Sequence, residues 1–236
     1  MRLHGFTLVY ALTVWLNVSP ALAVTYCPPG AGGGPSLAAI DGELRLRFID
    51  THLSRTATAA RLWTYGWGAG LMVAGVGSLV TAPFVPRRDR IDWYVTGGSA
   101  FVGVAPLLIE PLAVMADADA LHKLINTHRA AANLCWVLSD AEKRLVRDAR
   151  DQAFWRSPWI HVANIAFNTA IGLLLGFGFH HWLSGILNAT LGSAAGEVFI
   201  FTQPNGNVQD LERYQRGDLL EPRNLSAPSL SYRALF

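Results

Sequence analysis

Residues 159–203 read WIHVANIAFNTAIGLLLGFGFHHWLSGILNATLGSAAGEVFIFTQ, and Glu197 is the one acid or base in the run apart from three histidines. The run is about twice the roughly 20 apolar residues that a helix needs to cross the hydrocarbon of a bilayer. His180-His181 and their neighbours divide it in two. It therefore reads as a tight transmembrane hairpin, Trp159 to Phe179 and Trp182 to Phe201. A β-barrel is excluded, because barrel strands alternate apolar and polar residues over about ten positions.

Two more spans precede it. Leu62 to Phe84 is apolar, opens on Trp63, Tyr65 and Trp67 where an aromatic belt would lie, and ends at Pro83 and Pro86. After Arg87-Arg88-Asp89-Arg90 the second runs from Trp93 to Met115, kinked near Pro106 and Pro111. Composition agrees: 51% of the 236 residues are hydrophobic and 15% charged, against about 25% charged in a soluble domain. A net charge of +2 leaves no electrostatic footprint for nucleic acid. The expected fold class is all-α: an integral membrane bundle of about four spans, with amphipathic helices on its outer face.

Residues 1–23 have the three zones of a cleavable signal peptide: Arg2 and His4, the apolar stretch Phe6 to Leu16, and a polar end closing on Ala21-Leu22-Ala23. Residues 24–35, rich in Gly and Pro, read as a flexible linker. A helix from Ser36 across 36–61 places Ile40, Leu44 and Phe48 at helical spacing and leads into the first two spans, residues 62–115. Residues 116–158 are polar and helical, with Ser139 to Glu142 as a capping box that restarts the helix. The tail, 204–236, holds one short helix near Val208 to Tyr214.

An exported N-terminus fixes an alternating topology. Residues 24–60, 116–158 and 204–236 fall outside the bacterial inner membrane, and Arg87–Arg90 with His180-His181 inside. The three-arginine turn fits the positive-inside rule; segment 116–158, with seven basic residues, does not. Cys27 and Cys135 would share the outer, oxidising side, where disulfides persist, and are expected to pair.

Three groups of residues could carry chemistry. Glu110, His161, Asn164, Asn168 and Glu197 fall in one intramembrane layer toward the outer leaflet. His161, Asn164 and Asn168 follow i, i+3, i+7 spacing and share a helix face. Such a layer is either polar glue that sets helix register or a site for a proton, an ion or a small ligand. Asp117, Asp119, His122 and His128 offer carboxylate and imidazole to a metal; the alternative is a solvated helix start. Gly66/Gly70, Gly172/Gly176 and Gly192/Gly196 are spaced for close helix approach, within a bundle or in a homo-oligomer. No nucleotide loop, nucleophile elbow or redox Cys pair occurs, and no cofactor is expected.

The residues Trp159 to Asn164 (WIHVAN), Asn168, Gly196 to Pro204 (GEVFIFTQP) and the Tyr214/Gly217 pair give the last third a resemblance. It resembles a group of bacterial membrane proteins of unknown function, mainly from myxobacteria-like lineages, most firmly over residues 135–217. The resemblance implies a helical membrane protein of the cell envelope and implies no activity. The expected function is a non-enzymatic scaffold or accessory subunit, partnered by the lipid bilayer and by other membrane or periplasmic proteins. An ion-coupled transporter is the alternative, and a metal-dependent membrane enzyme the third reading.

Overall fold

The computed structural model describes residues 24–30, 32–109, 111–128 and 131–220. The expected signal peptide, the end of the tail and Glu110 lie outside the described residues. Within them seven α-helices form, and the one β feature is an isolated antiparallel bridge between Tyr26 and Asp41.

Helix α1 runs unbroken from Gly42 to Thr81. Asp41 caps it, its carboxylate accepting from the Glu43 amide, and Pro83 stops it in a 3-10 turn, Ala82–Phe84. At 1.5 Å per residue α1 is about 60 Å long, twice the hydrocarbon thickness of about 30 Å. Its sequence changes character at mid-length. The first half buries Leu46, Phe48, Ile49 and Leu53; the second exposes Leu62, Val73 and Val80. One continuous helix thus joins two environments.

Helix α2 spans Arg90–Ile109. The Arg90 guanidinium closes the preceding turn by donating to the Pro83 and Val85 carbonyls, at 3.0 and 3.3 Å. The second span was expected to continue to Met115; instead the chain breaks at Pro111-Leu112, and α3 (Ala113–Thr127) starts afresh. Proline cannot donate to the helix ladder, and its ring clashes with the preceding turn. Helix α4, Leu134–Trp155, passes through Ser139 to Glu142 without the restart expected there.

Pro158 opens α5 (Pro158–Leu173) at its first turn, where its missing N–H costs nothing. A π-helical turn, Leu174–Gly178, continues α5, and His180, in the left-handed region at φ 60°, reverses the chain. Helix α6 is Trp182–Thr202 and α7 is Gly206–Arg216. Gly217 ends α7 at φ 76° with the Asp218 N–H donating to the Arg213 carbonyl at 3.0 Å, a C-cap that favours glycine.

These elements form two layers. The first half of α1 packs with α3, α4 and α7 into a headpiece around one core that includes Ile49, Leu53, Leu121, Leu138, Leu145 and Tyr214. The second half of α1 pairs with α2, and α5 pairs with α6. In this half large apolar side chains point outward, among them Leu108, Ile109, Trp159 and Leu183. Four helical stretches are long and apolar enough to cross a membrane: Gly42–Phe84, Arg90–Thr127, Leu134–Gly178 and Trp182–Arg216.

The Gly/Pro segment 24–35 is no free linker. Cys27 is bonded to Cys135 across a Cα–Cα distance of 5.2 Å. The Thr25 carbonyl accepts from the Gly42 N–H at 2.8 Å, and the Gly30 N–H donates to Glu142 at 2.7 Å. Glycine-rich composition signals freedom only where nothing binds the backbone groups; here α1 and α4 bind them.

Candidate functional site in the polar layer of the apolar half

Helices α5 and α6 lie backbone to backbone. A Cβ on Gly172 would come within 2.7 Å of the Gly185 carbonyl oxygen, and one on Gly176 within 2.7 Å of the Trp182 ring. Gly192 and Gly196 face Asn168 and Asn164 so closely that a side chain on either would collide. Two of the three expected glycine pairs are therefore used inside the chain. Gly66 and Gly70 have nothing within 4 Å of a built Cβ and face outward.

On this close contact sits the polar layer. His161 Nδ1 lies 2.6 Å from Glu197 Oε2, and the Asn164 amide donates to Glu197 Oε1 at 2.9 Å and to the Ser193 carbonyl at 3.0 Å. The Asn168 amide donates to the side-chain and main-chain oxygens of Asn164, both at 2.9 Å. Four of the five predicted residues thus meet, and each of their contacts lies between α5 and α6 or within α5. The fifth, Glu110, lies outside the described residues.

At the other end of this half a second cluster escaped the sequence reading. His181 Nδ1 is 2.6 Å from Asp92, and the Ser184 hydroxyl donates to the same carboxylate at 2.7 Å. One turn further on, the Thr96 hydroxyl donates to Asn188 at 2.9 Å. These contacts join α2 to α6. The signal was present in Asp92 and His181 at the two span starts, but pairing them needs the order of helices in space.

The four proposed metal ligands do not converge. Asp117 is buried against α4, where Arg144 (2.8 Å) and Arg147 hold it. Asp119 pairs with Arg61 at 2.6 Å and, with His122, lines a groove between α1 and α3. His128 packs edge-on against Trp136 at the end of α3. Among the described residues no three His, Cys, Asp or Glu side chains are gathered as a metal site. Spacing alone put the four on one helix; it could not tell that the faces of α3 meet different neighbours.

The headpiece holds a buried polar cluster. Arg45, Glu142 and Tyr214 are each at most 1% exposed. Arg45 pairs with Glu142, donates to Tyr214 at 3.0 Å and to the Cys27 carbonyl at 2.8 Å, and Tyr214 donates to Glu142. Burial, with Glu142 beside it, pushes the Tyr214 phenol above its ordinary pKa, so it remains a donor. Glu142, expected as a cap, is the acceptor at the centre of this group. Nearby, both oxygens of Asp148 are buried with no hydrogen-bond donor among the described residues. Burial, and the neighbouring Asp117 carboxylate, push Asp148 up to about 8, so it holds its proton at neutral pH.

The described fold and layer define a four-helix apolar assembly, of a length and composition suited to a membrane, topped by a disulfide-closed helical headpiece. No protein-family model, curated protein or solved structure matches the chain.

Proposed function

We propose that this chain is an exported, multi-pass protein of the bacterial inner membrane whose headpiece stands on the periplasmic side and serves as a non-enzymatic scaffold or accessory subunit. The observation that carries this reading is the Cys27–Cys135 bond, which closes the headpiece and belongs in an oxidising compartment. Segments 24–61, 113–157 and 204–220 pack at one end of the apolar half, as the proposed alternating topology requires. Four headpiece acids are engaged in holding it together: Asp117 by two arginines, Asp119 by Arg61, Glu142 by Arg45, and Asp210 by His52 at 2.8 Å. That use favours a rigid platform over a catalytic cleft.

The ion-coupled reading rests on Glu197 inside a span. Its hydrogen bonds to His161 and Asn164 support the plainer role of fixing α5 against α6.

Two measurements test the scaffold. With both natural cysteines paired, Lys123→Cys should react with a membrane-impermeant maleimide on intact spheroplasts, and Arg88→Cys only after permeabilisation. The reverse pattern would overturn the topology. In gentle extracts of native membranes the protein should migrate in an assembly larger than the lone chain. Migration as the lone chain would overturn the scaffold role.

A further inference from the structure

The two hairpins touch at their ends and stand apart between. Their backbones approach each other closely almost nowhere. At the headpiece end the Trp63 and Trp67 indoles donate to the Thr202 hydroxyl at 3.2 and 3.1 Å and pack on Phe199. At the far end Asp92–His181 and Thr96–Asn188 clasp α2 to α6. Between the clasps lies a cleft of about 740 Å³.

Its walls are mostly apolar, and among the described residues no Asp, Glu, Lys, Arg or His lines it. Its amides and hydroxyls are largely spent on neighbouring groups: Asn164 and Asn188 are held as described, and Ser99 donates to the Thr96 carbonyl at 2.9 Å. Gln203 differs. It is 5% exposed, lines the cleft at the headpiece end, and its carboxamide has no hydrogen-bond partner among the described residues. What surface it keeps opens on the cleft, and a ligand oxygen within reach would give its amide a hydrogen-bond partner.

We propose that this cleft binds one neutral single-chain lipid, a fatty or isoprenoid chain ending in a hydroxyl or carbonyl group that hydrogen-bonds to Gln203. The volume lies within the range of about 300–1,000 Å³ of small-ligand pockets; it suits one chain and is too small for the two chains of a phospholipid. The described lining offers an ionised head no counter-charge in an apolar wall, which favours an uncharged head. The clasps close both ends of the cleft, so the ligand enters sideways from the hydrocarbon. The inference goes beyond the scaffold reading, and reconstituted protein tests it whatever that reading's fate.

The probe is a C16 fatty alcohol carrying a photoreactive diazirine, added to phosphatidylcholine nanodiscs holding the full chain. Irradiation should place label on peptides around Trp67, Leu107 and Phe167. Ala163→Phe, which fills the cleft, should abolish that label. Gln203→Leu keeps the volume and should lower apparent affinity roughly tenfold, the loss of one hydrogen bond. Retention of the Cys27–Cys135 bond and an unchanged elution volume certify folding, and Gln203→Leu decides if Ala163→Phe fails to fold. The matching ionised fatty acid should label weakly. Label spread over outward residues such as Val73 and Leu183, unchanged in Gln203→Leu, would overturn the proposal. Equal labelling by the fatty acid would overturn the neutral head.

Discussion

The two halves of this molecule obey opposite rules. In the headpiece Leu53, Leu121 and Leu145 are fully buried and the charged groups inside are paired. In the other half Leu62, Leu108 and Leu183 are more than 70% exposed, and the inside carries amides and two carboxylate–imidazole pairs. Water drives the first pattern, since burying apolar surface is favourable by about 25 cal/mol per Å². Hydrocarbon gives no such drive, so small-residue contacts and hydrogen bonds must set the packing. The comparison teaches that one helix, α1, can serve both solvents when its apolar residues change from one stripe to nearly every position at mid-length. It also predicts that comparable polar substitutions cost far more in the headpiece.

The largest effect is expected at Glu142. Glu142→Gln keeps the shape but strands the buried Arg45 without its counter-ion. Breaking a buried pair on one side costs about 3–5 kcal/mol. Thermal unfolding followed by circular dichroism in mild detergent should show the loss. Arg45→Met with Glu142→Leu should recover most of it, because the charge is then removed from both sides. Near-wild-type stability of Glu142→Gln would mean that water reaches the cluster, and the contrast between the halves would weaken. Next in size is the Cys27–Cys135 bond, which closes a loop with a sequence separation of 108. Its removal as Cys27→Ser should cost about 2–4 kcal/mol. Limited proteolysis should then cut the headpiece first and leave α5–α6 protected.

Asp148 sharpens the comparison through pH. Its pKa is raised from 3.8 to about 8 by burial, with Asp117 adding to the shift. Between those values the folded chain holds a proton that the unfolded chain has released. Stability is therefore highest at the acid end and falls as pH rises, by at most about 1.4 kcal/mol per unit. Above about 8 this dependence ends, because both states have lost the proton. Asp148→Asn should flatten the decline in the melting temperature of the headpiece between about pH 5 and about pH 8. An unchanged slope would place the titrating group elsewhere.

The apolar half was far more legible in the sequence than the headpiece. Uninterrupted apolar runs gave the spans, and i, i+3, i+7 spacing put His161, Asn164 and Asn168 on one face, where they meet Glu197. The Cys27–Cys135 pairing followed from assigning both to one compartment. The headpiece core was hidden because its contacts are remote along the chain: Arg45 and Glu142 are 97 residues apart, and Arg45 and Tyr214 169. A clue existed in Arg45, which sits one turn before Ile49 on the buried stripe of α1. Glu142 misled by standing three residues after Ser139, the spacing of a cap. The metal reading failed to gather for a related reason, since Asp117 and Asp119 are near in sequence yet turn to α4 and to α1.

The smallest effect is expected where the sequence pointed most strongly. Asn164→Ala removes the hydrogen bonds to Glu197 and to the Ser193 carbonyl, together with the acceptor used by Asn168. In water-soluble cores such a loss would rank with the headpiece variants. In a bilayer the unfolded reference keeps its helices, and the freed groups find other partners there, so interhelical hydrogen bonds average about 0.6 kcal/mol. The close glycine contacts Gly172–Gly185 and Gly176–Trp182 persist in the variant and hold α5 to α6. Unfolding in mixed micelles of rising dodecyl sulfate should therefore shift by less than half of what Cys27→Ser produces. A loss as large as that of Glu142→Gln would break the comparison: it would mean that Glu197, with His161 as its remaining partner, depends on Asn164 far more than register alone explains, as a proton or ion site would.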